Sequence, residues 1–256
     1  MMARIPDSLR ALLANLIDYA GLYPPAGLAL PAVLENYEAY FASADSWMLN
    51  RLVLPEAKLP EARLGQNWRV TLLVEGEPGP LPGQVETLET RLPHRLSLPT
   101  YCEARLGALQ GSFAKVRTGG LTPEAIPSSE TLADFLREAA AHRIAFKATS
   151  GLHHPIRSPR PLTYAADSPS ATMHGFVNVF VAAAFAWQGA ARDVILDILN
   201  DEDAADFEFL AGQLMWRGRS ITAAEIQSAR RDFAHSFGSC SFTEPIADLR
   251  ELGWLA

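Results

Sequence analysis

The chain has 256 residues, 48% of them hydrophobic and 20% charged, with a net charge of −7 at pH 7. That length suits one large domain, which buries enough apolar surface to need no disulfide or metal staple. The acidic balance, without any long Lys/Arg run, argues against nucleic-acid or anionic-membrane partners, and two cysteines, Cys102 and Cys240, are too few for a disulfide framework and suit a reducing, cytoplasmic setting.

Asp7-Ser8 followed by LRALLANLIDYA predicts a capped amphipathic helix over roughly 8–19. Arg10, Asn15 and Asp18 interrupt its apolar residues, so no signal-peptide core is expected there. GLYPPAG at 21–27 then breaks the chain; it either ends the helix or brings Asp18, Tyr19 and Tyr23 over a pocket. Leu30, Val33, Leu34, Tyr37 and Phe41 predict a second helix over 30–43. Residues 1–45 are thus expected as an N-terminal helical extension packed on the rest of one domain.

Short apolar runs follow. Strands are expected at 51–54, at 68–74, more weakly at 96–103 because of Pro99, at 113–118 and at 144–149. A short helix is expected at 84–91, and a strong one at 128–142 capped by Ser128 or Ser129. The unit 113–149 has the order and length of a βαβ crossover, which makes its two strands parallel. The alternation points to an α/β fold, a (β/α) TIM-like barrel with N-terminal helical additions. Five strands leave the barrel incomplete or irregular unless the remainder supplies more.

Residues 152–171 form a proline-rich loop that carries His153 and His154. The most apolar stretch, 173–187, is too short to span a membrane and reads as a buried helix within 172–187. A helix is expected at 192–199, a hairpin from 207–210 and 213–216, a helix over 220–237, and a Gly/Ser turn before a last short helix.

The chemistry concentrates at two strand ends. Phe113, Lys115 and Arg117 share one face of their strand, and Ala145, Lys147 and Thr149 share one face of theirs. The opposite faces are apolar and pack on helices, so the cations point into the barrel, where burial demands partners. The carboxyl ends of barrel strands are also where catalytic groups lie. Thr118-Gly119-Gly120 and Thr149-Ser150-Gly151 end the two strands, and glycine lets backbone N–H groups approach an anion. Arg117 and these turns are therefore candidate binders of a phosphate or carboxylate. Glu103, His153, His154 and His174 are candidate acids and bases, and Asn178, four residues after His174, would share a helix face with it. No metal-binding spacing such as HExxH is present, and neither a metal nor another cofactor is expected. Cys240, in the Gly-Ser-Cys-Ser turn, reads as a small packed residue or a nucleophile without an assigned partner.

AKVRTGG at 114–120 and FKATSGLHHPIR at 146–157 resemble the paired lysine strands of class I Schiff-base aldolases of the deoxyribose-phosphate aldolase type. That resemblance implies Lys115 as the imine-forming residue and Lys147 as the lysine that lowers its pKa; Arg117 and His153-His154 depart from the pattern. Taken whole, the chain resembles a bacterial family without an assigned activity, with DYAGLYPPA, FKATSGLHHP and SFGSCSF as its blocks. The leading expectation is a lyase acting on a small anionic carbonyl or phosphorylated compound. The alternatives are a metal-dependent or non-covalent isomerase or transferase on the same barrel, and a non-catalytic ligand-binding protein. Self-association would run through helices 8–19 and 30–43.

Overall fold

Every strand predicted before residue 150 finds a parallel neighbour, and the sheet they start closes on itself. The computed structural model describes residues 5–92, 95–109 and 111–255. In chain order the elements are α1 (Asp7–Leu13), β1 (Ile17–Tyr19), α2 (Leu30–Phe41), β2 (Leu49–Pro55), β3 (Val70–Leu73), β4 (Val85–Thr90), β5 (Thr100–Cys102) and β6 (Phe113–Arg117). Then come α3 (Ser129–Ala141), β7 (Phe146–Thr149), β8 (Ser158–Pro161), β9 (Ser170–Met173), α4 (Phe176–Trp187) and α5 (Arg192–Asn200). The chain ends with β10 (Phe207–Phe209), β11 (Gln213–Trp216), β12 (Arg219–Thr222), α6 (Ala223–Asp232), β13 (Ala234–Ser239) and α7 (Thr243–Glu251). Eight strands form a closed barrel in the order β1-β13-β7-β6-β5-β4-β3-β2, all neighbours parallel. This is an α/β, TIM-like barrel.

Three segments differ from expectation. Residues 84–91 are strand β4, not a helix: Val85, Thr87 and Thr90 are β-branched, and the segment pairs with β3 and β5 on both sides. The N-terminal helix stops at Leu13, where Arg230 reaches the carbonyls of Leu12, Ala14 and Asn15, and the chain continues into barrel strand β1. The helix expected over 220–237 is cut at both ends. Arg219–Thr222 pairs with β11; Thr222 caps α6 through a reciprocal bond with Glu225; and Ala234–Ser239 is the eighth barrel strand. The 152–171 loop is largely closed by the β8–β9 hairpin, and the expected hairpin of β10 and β11 is present.

Helical cover is uneven. α2 connects β1 to β2, α3 connects β6 to β7, and the long excursion from β7 to β13 supplies α4, α5 and α6. Apart from Asn178, α4 is apolar from Phe176 to Ala186 and buried throughout that stretch, which suits a helix enclosed between the barrel and other helices. Phe176 stacks on Phe237 of β13, Phe180 packs on the same ring at a tilt, and Phe146 of β7 packs edge-on against Phe233. From β2 to β6 the described residues of the links hold only short 3-10 turns, at Glu56–Glu61 and Leu106–Ala108. No helix among the described residues is long and apolar enough to cross a membrane.

Candidate functional site

β6 and β7 lie side by side with Lys115 opposite Lys147. Their outward residues, among them Ala114, Phe146 and Ala148, are buried against the helices, so both lysines face the lumen. Lys147 is 1% exposed, and its Nζ donates to Asp18 Oδ2 and to Glu89 Oε1, each at 2.5 Å. Asp18 belongs to β1 and Glu89 to β4, neither of which borders β7, so these bonds cross the barrel interior. Lys115 Nζ reaches the other oxygen of Glu89, Oε2, at 3.2 Å and lies 3.7 Å from Glu103 Oε2. Arg117 closes the chain of charges through Nε to Glu103 Oε1 at 2.6 Å. Three cations therefore meet three carboxylates, which is how such groups survive burial.

Asp18 is the most heavily bonded member. Its Oδ1 accepts from Asn50 Nδ2 at 2.6 Å and from the Arg51 N–H at 3.1 Å, and its Oδ2 accepts from Ser236 Oγ at 2.8 Å as well as from Lys147. Burial pushes the Asp18 carboxyl up, but the Lys147 and Arg51 charges and the hydrogen bonds outweigh it and hold it below the usual range. Burial likewise opposes charge on Glu89, and Lys147 with Lys115 more than compensates. For Lys147 burial alone would favour the free amine; Asp18 and Glu89 reverse that and raise its pKa, so it is a fixed ammonium.

The lysine cluster forms the floor of a cavity of 1460 Å³ at the carboxyl ends of the strands. Its wall includes Tyr23 and Pro24 from the YPPA turn, Glu89, Glu103, Arg91, Arg117 and both lysines. Of the expected binding residues, Gly119, Gly120, Thr149, Ser150 and Gly151 also line it. The two turns are locked together: Thr118 Oγ1 donates to the Ser150 carbonyl at 2.5 Å, and a Cβ on Gly119 would stand 2.8 Å from Gly151 Cα. Two buried polar atoms facing this region, Tyr23 Oη and Glu103 Oε2, have no hydrogen-bond partner. The Tyr23 hydroxyl sits within the field of Glu89 and Lys147.

The histidines separate. His153 lines the cavity, with Nδ1 2.8 Å from Glu244 Oε2 and Nε2 4.0 Å from Cys240 Sγ. His154 turns away to Asp248 of α7 at 2.5 Å. His174 precedes α4 rather than opening it, and its Nε2 meets the Pro127 carbonyl at 2.8 Å. Asn178 is fully buried and bonds the Arg157 N–H and the Ile198 and Asp201 carbonyls. His154, His174, Asn178 and Thr118 are thus tied to the scaffold and do not line the cavity.

The sequence offers Asp18 only as a residue of a turn over the pocket and gives no sign of Glu89, because each falls in a segment whose pattern suggests a helix. The available signal was a carboxylate set among strand-forming residues: Ile17-Asp18-Tyr19, and Val85-Glu-Thr-Leu-Glu-Thr. Among the described residues no three His, Cys, Asp or Glu side chains are gathered as a metal-ligand set. Compared with known proteins, the chain matches no family model, no curated protein and no solved structure.

Proposed function

We propose that the protein is a lyase that binds a small anionic carbonyl compound in the barrel mouth and activates it through Lys115. The observation that carries this reading is the sharing of one carboxylate: Lys115 and Lys147 hold opposite oxygens of Glu89 at the cavity floor. Lys147 is gripped too tightly to attack, and its role is electrostatic. Lys115 is held at longer range, at 3.2 and 3.7 Å, and lines the cavity. Glu103 Oε2 is the proton acceptor within reach of its amine.

In the reaction the Lys115 amine, having passed a proton to Glu103, adds to the substrate carbonyl carbon. Loss of water gives the imine, whose positive nitrogen draws electrons from the bond to be cleaved. Tyr23 Oη is placed to donate to a substrate oxygen, and Arg117 with the 119–120 and 150–151 turns takes the anionic end. The test is borohydride reduction in the presence of glycolaldehyde phosphate or pyruvate, read by peptide mass spectrometry. An adduct on Lys115 is expected; no adduct on either lysine would remove the imine mechanism.

The grip on Lys147 also favours a second reading, a non-covalent isomerase in which that ammonium stabilises an enolate and Glu103 moves the proton. Exchange of substrate C–H hydrogen with deuterated solvent, without borohydride trapping, would select it.

A further inference from the structure

The cavity carries a second cluster that the lysine reading does not use. Cys240 follows β13 directly, in the turn before α7, and its Sγ faces His153 Nε2 at 4.0 Å. The other ring nitrogen of His153 is bound to Glu244 Oε2 at 2.8 Å, which fixes the ring and turns Nε2 toward sulfur. Tyr164 Oη completes the group, 3.8 Å from Cys240 Sγ and 3.2 Å from Glu244 Oε2. Cysteine, histidine and carboxylate thus stand in series, as in nucleophile–base–orienter sets on unrelated folds. Cys240 and His153 both line the cavity, and Cys240 is buried beside it.

We propose that Cys240, activated by His153 and Glu244, is a second nucleophile of this cavity and adds reversibly to the aldehyde carbon of a bound ligand. The thiolate forms the carbon–sulfur bond, the C=O π pair moves to oxygen, and that oxygen takes the Nε2 proton of the His153 imidazolium. The product is a thiohemiacetal, with no leaving group and no further reactant. An acid beside the nucleophile is what carbonyl addition requires, since charge develops on the oxygen next to the attacked carbon.

The charged and titratable groups around the sulfur are His153 from the loop after β7, Tyr164 from the β8–β9 loop, Glu244 from α7 and Tyr19 from β1, with the Ala26 backbone N–H as a further donor. Burial alone would raise the Cys240 thiol; the hydrogen bond and charge of His153 outweigh it and lower the pKa. His153 is correspondingly raised to about 9, despite burial, by Cys240 and Glu244. Cys102 offers an internal comparison, since burial pushes its thiol up.

The full-length protein is treated with iodoacetamide across a pH series, and alkylation at each cysteine is followed by peptide mass spectrometry. Expected at about pH 6.5 is a rate at Cys240 at least about tenfold above that at Cys102, with a midpoint below the ordinary thiol value of about 8.5. His153→Gln moves that midpoint upward. Equal rates at the two cysteines in the folded protein would overturn the proposal. The addition step is read in Lys115→Met, where no imine at that position competes: glycolaldehyde slows Cys240 alkylation, and its removal restores the rate. Absence of protection there overturns the aldehyde addition. Neither arm depends on turnover, so failure of the lysine mechanism and failure of this one are told apart.

Discussion

Asp18 and Lys147, 129 positions apart in the chain, meet at 2.5 Å inside the barrel with 1% of each side chain exposed. Neither charge is tolerable alone at that depth. Removing one partner leaves the other's buried charge under-compensated, even with Glu89 beside Lys147 and Asn50, Arg51 N–H and Ser236 around Asp18, and breaking a buried pair typically costs about 3–5 kcal/mol. Asp18→Asn and Lys147→Met are each expected to lose about that much in urea unfolding. The double variant should lose less than the sum of the two, because it strands neither side chain. Additive losses would mean that the two groups are not coupled.

The same cluster sets a pH profile. Asp18 and Glu89 have folded pKa values below their ordinary ones near 3.9 and 4.3, so their contribution is complete above those values and drains as pH falls through the folded ones. Lys147 is raised above its ordinary value of about 10.4, so its contribution is complete below that and drains as pH rises through the folded value. The stabilisation from this cluster is therefore expected to be level from about pH 6 to about pH 9 and to fall on both sides. Asp18→Asn should shrink the acid limb; urea midpoints that fall in parallel for both proteins would contradict the assignment.

Arg117 is half exposed and holds Glu103 at the cavity wall. A charge-assisted hydrogen bond contributes about 1.5–3 kcal/mol, so Arg117→Ala is expected to weaken binding of a phosphorylated aldehyde by about tenfold or more. Calorimetric titration with glyceraldehyde 3-phosphate reads this. Unchanged affinity would move the anion site elsewhere, with Arg91 as the neighbouring cation.

The paired turns after β6 and β7 leave no room for a side chain. A Cβ on Gly151 would lie 2.7 Å from Gly119 Cα, and Gly151 has φ +83°. Gly151→Ala combines backbone strain with a backbone clash and is expected to cost about 1–3 kcal/mol. Gly119→Ala carries the clash alone and should cost less. Thermal unfolding of the two variants orders them.

The lysine pair could be read in the sequence because alternation in a strand fixes which residues share a face, and Phe113–Arg117 and Phe146–Thr149 are flanked by clear turns. Glu103 was placed by the same logic, one residue beyond β5. Asp18 and Glu89 were not. β1 has three residues, too few for a period to show, and it follows a real helix without a glycine or proline between them. The eighth strand was hidden for a related reason: α6 and β13 are separated by Phe233 alone. Cys240 and His153 are each legible as candidates, but their partnership with Glu244 depends on the first turn of α7 meeting the loop after β7, which no local pattern encodes.

The uneven helical jacket has a dynamic consequence. Among the described residues β3, β4 and β5 are joined by coil and short turns, so that arc of wall shows none of the cooperative helix hydrogen bonds that protect β6, β7 and β13. Amide exchange should enter the molecule there first. Glu89 rides on this thinner arc, whereas Lys147 and Asp18 are rooted in or beside the armoured one. Breathing of the barrel would thus draw one carboxylate away from both amines while the other stays seated, loosening Lys115 before Lys147.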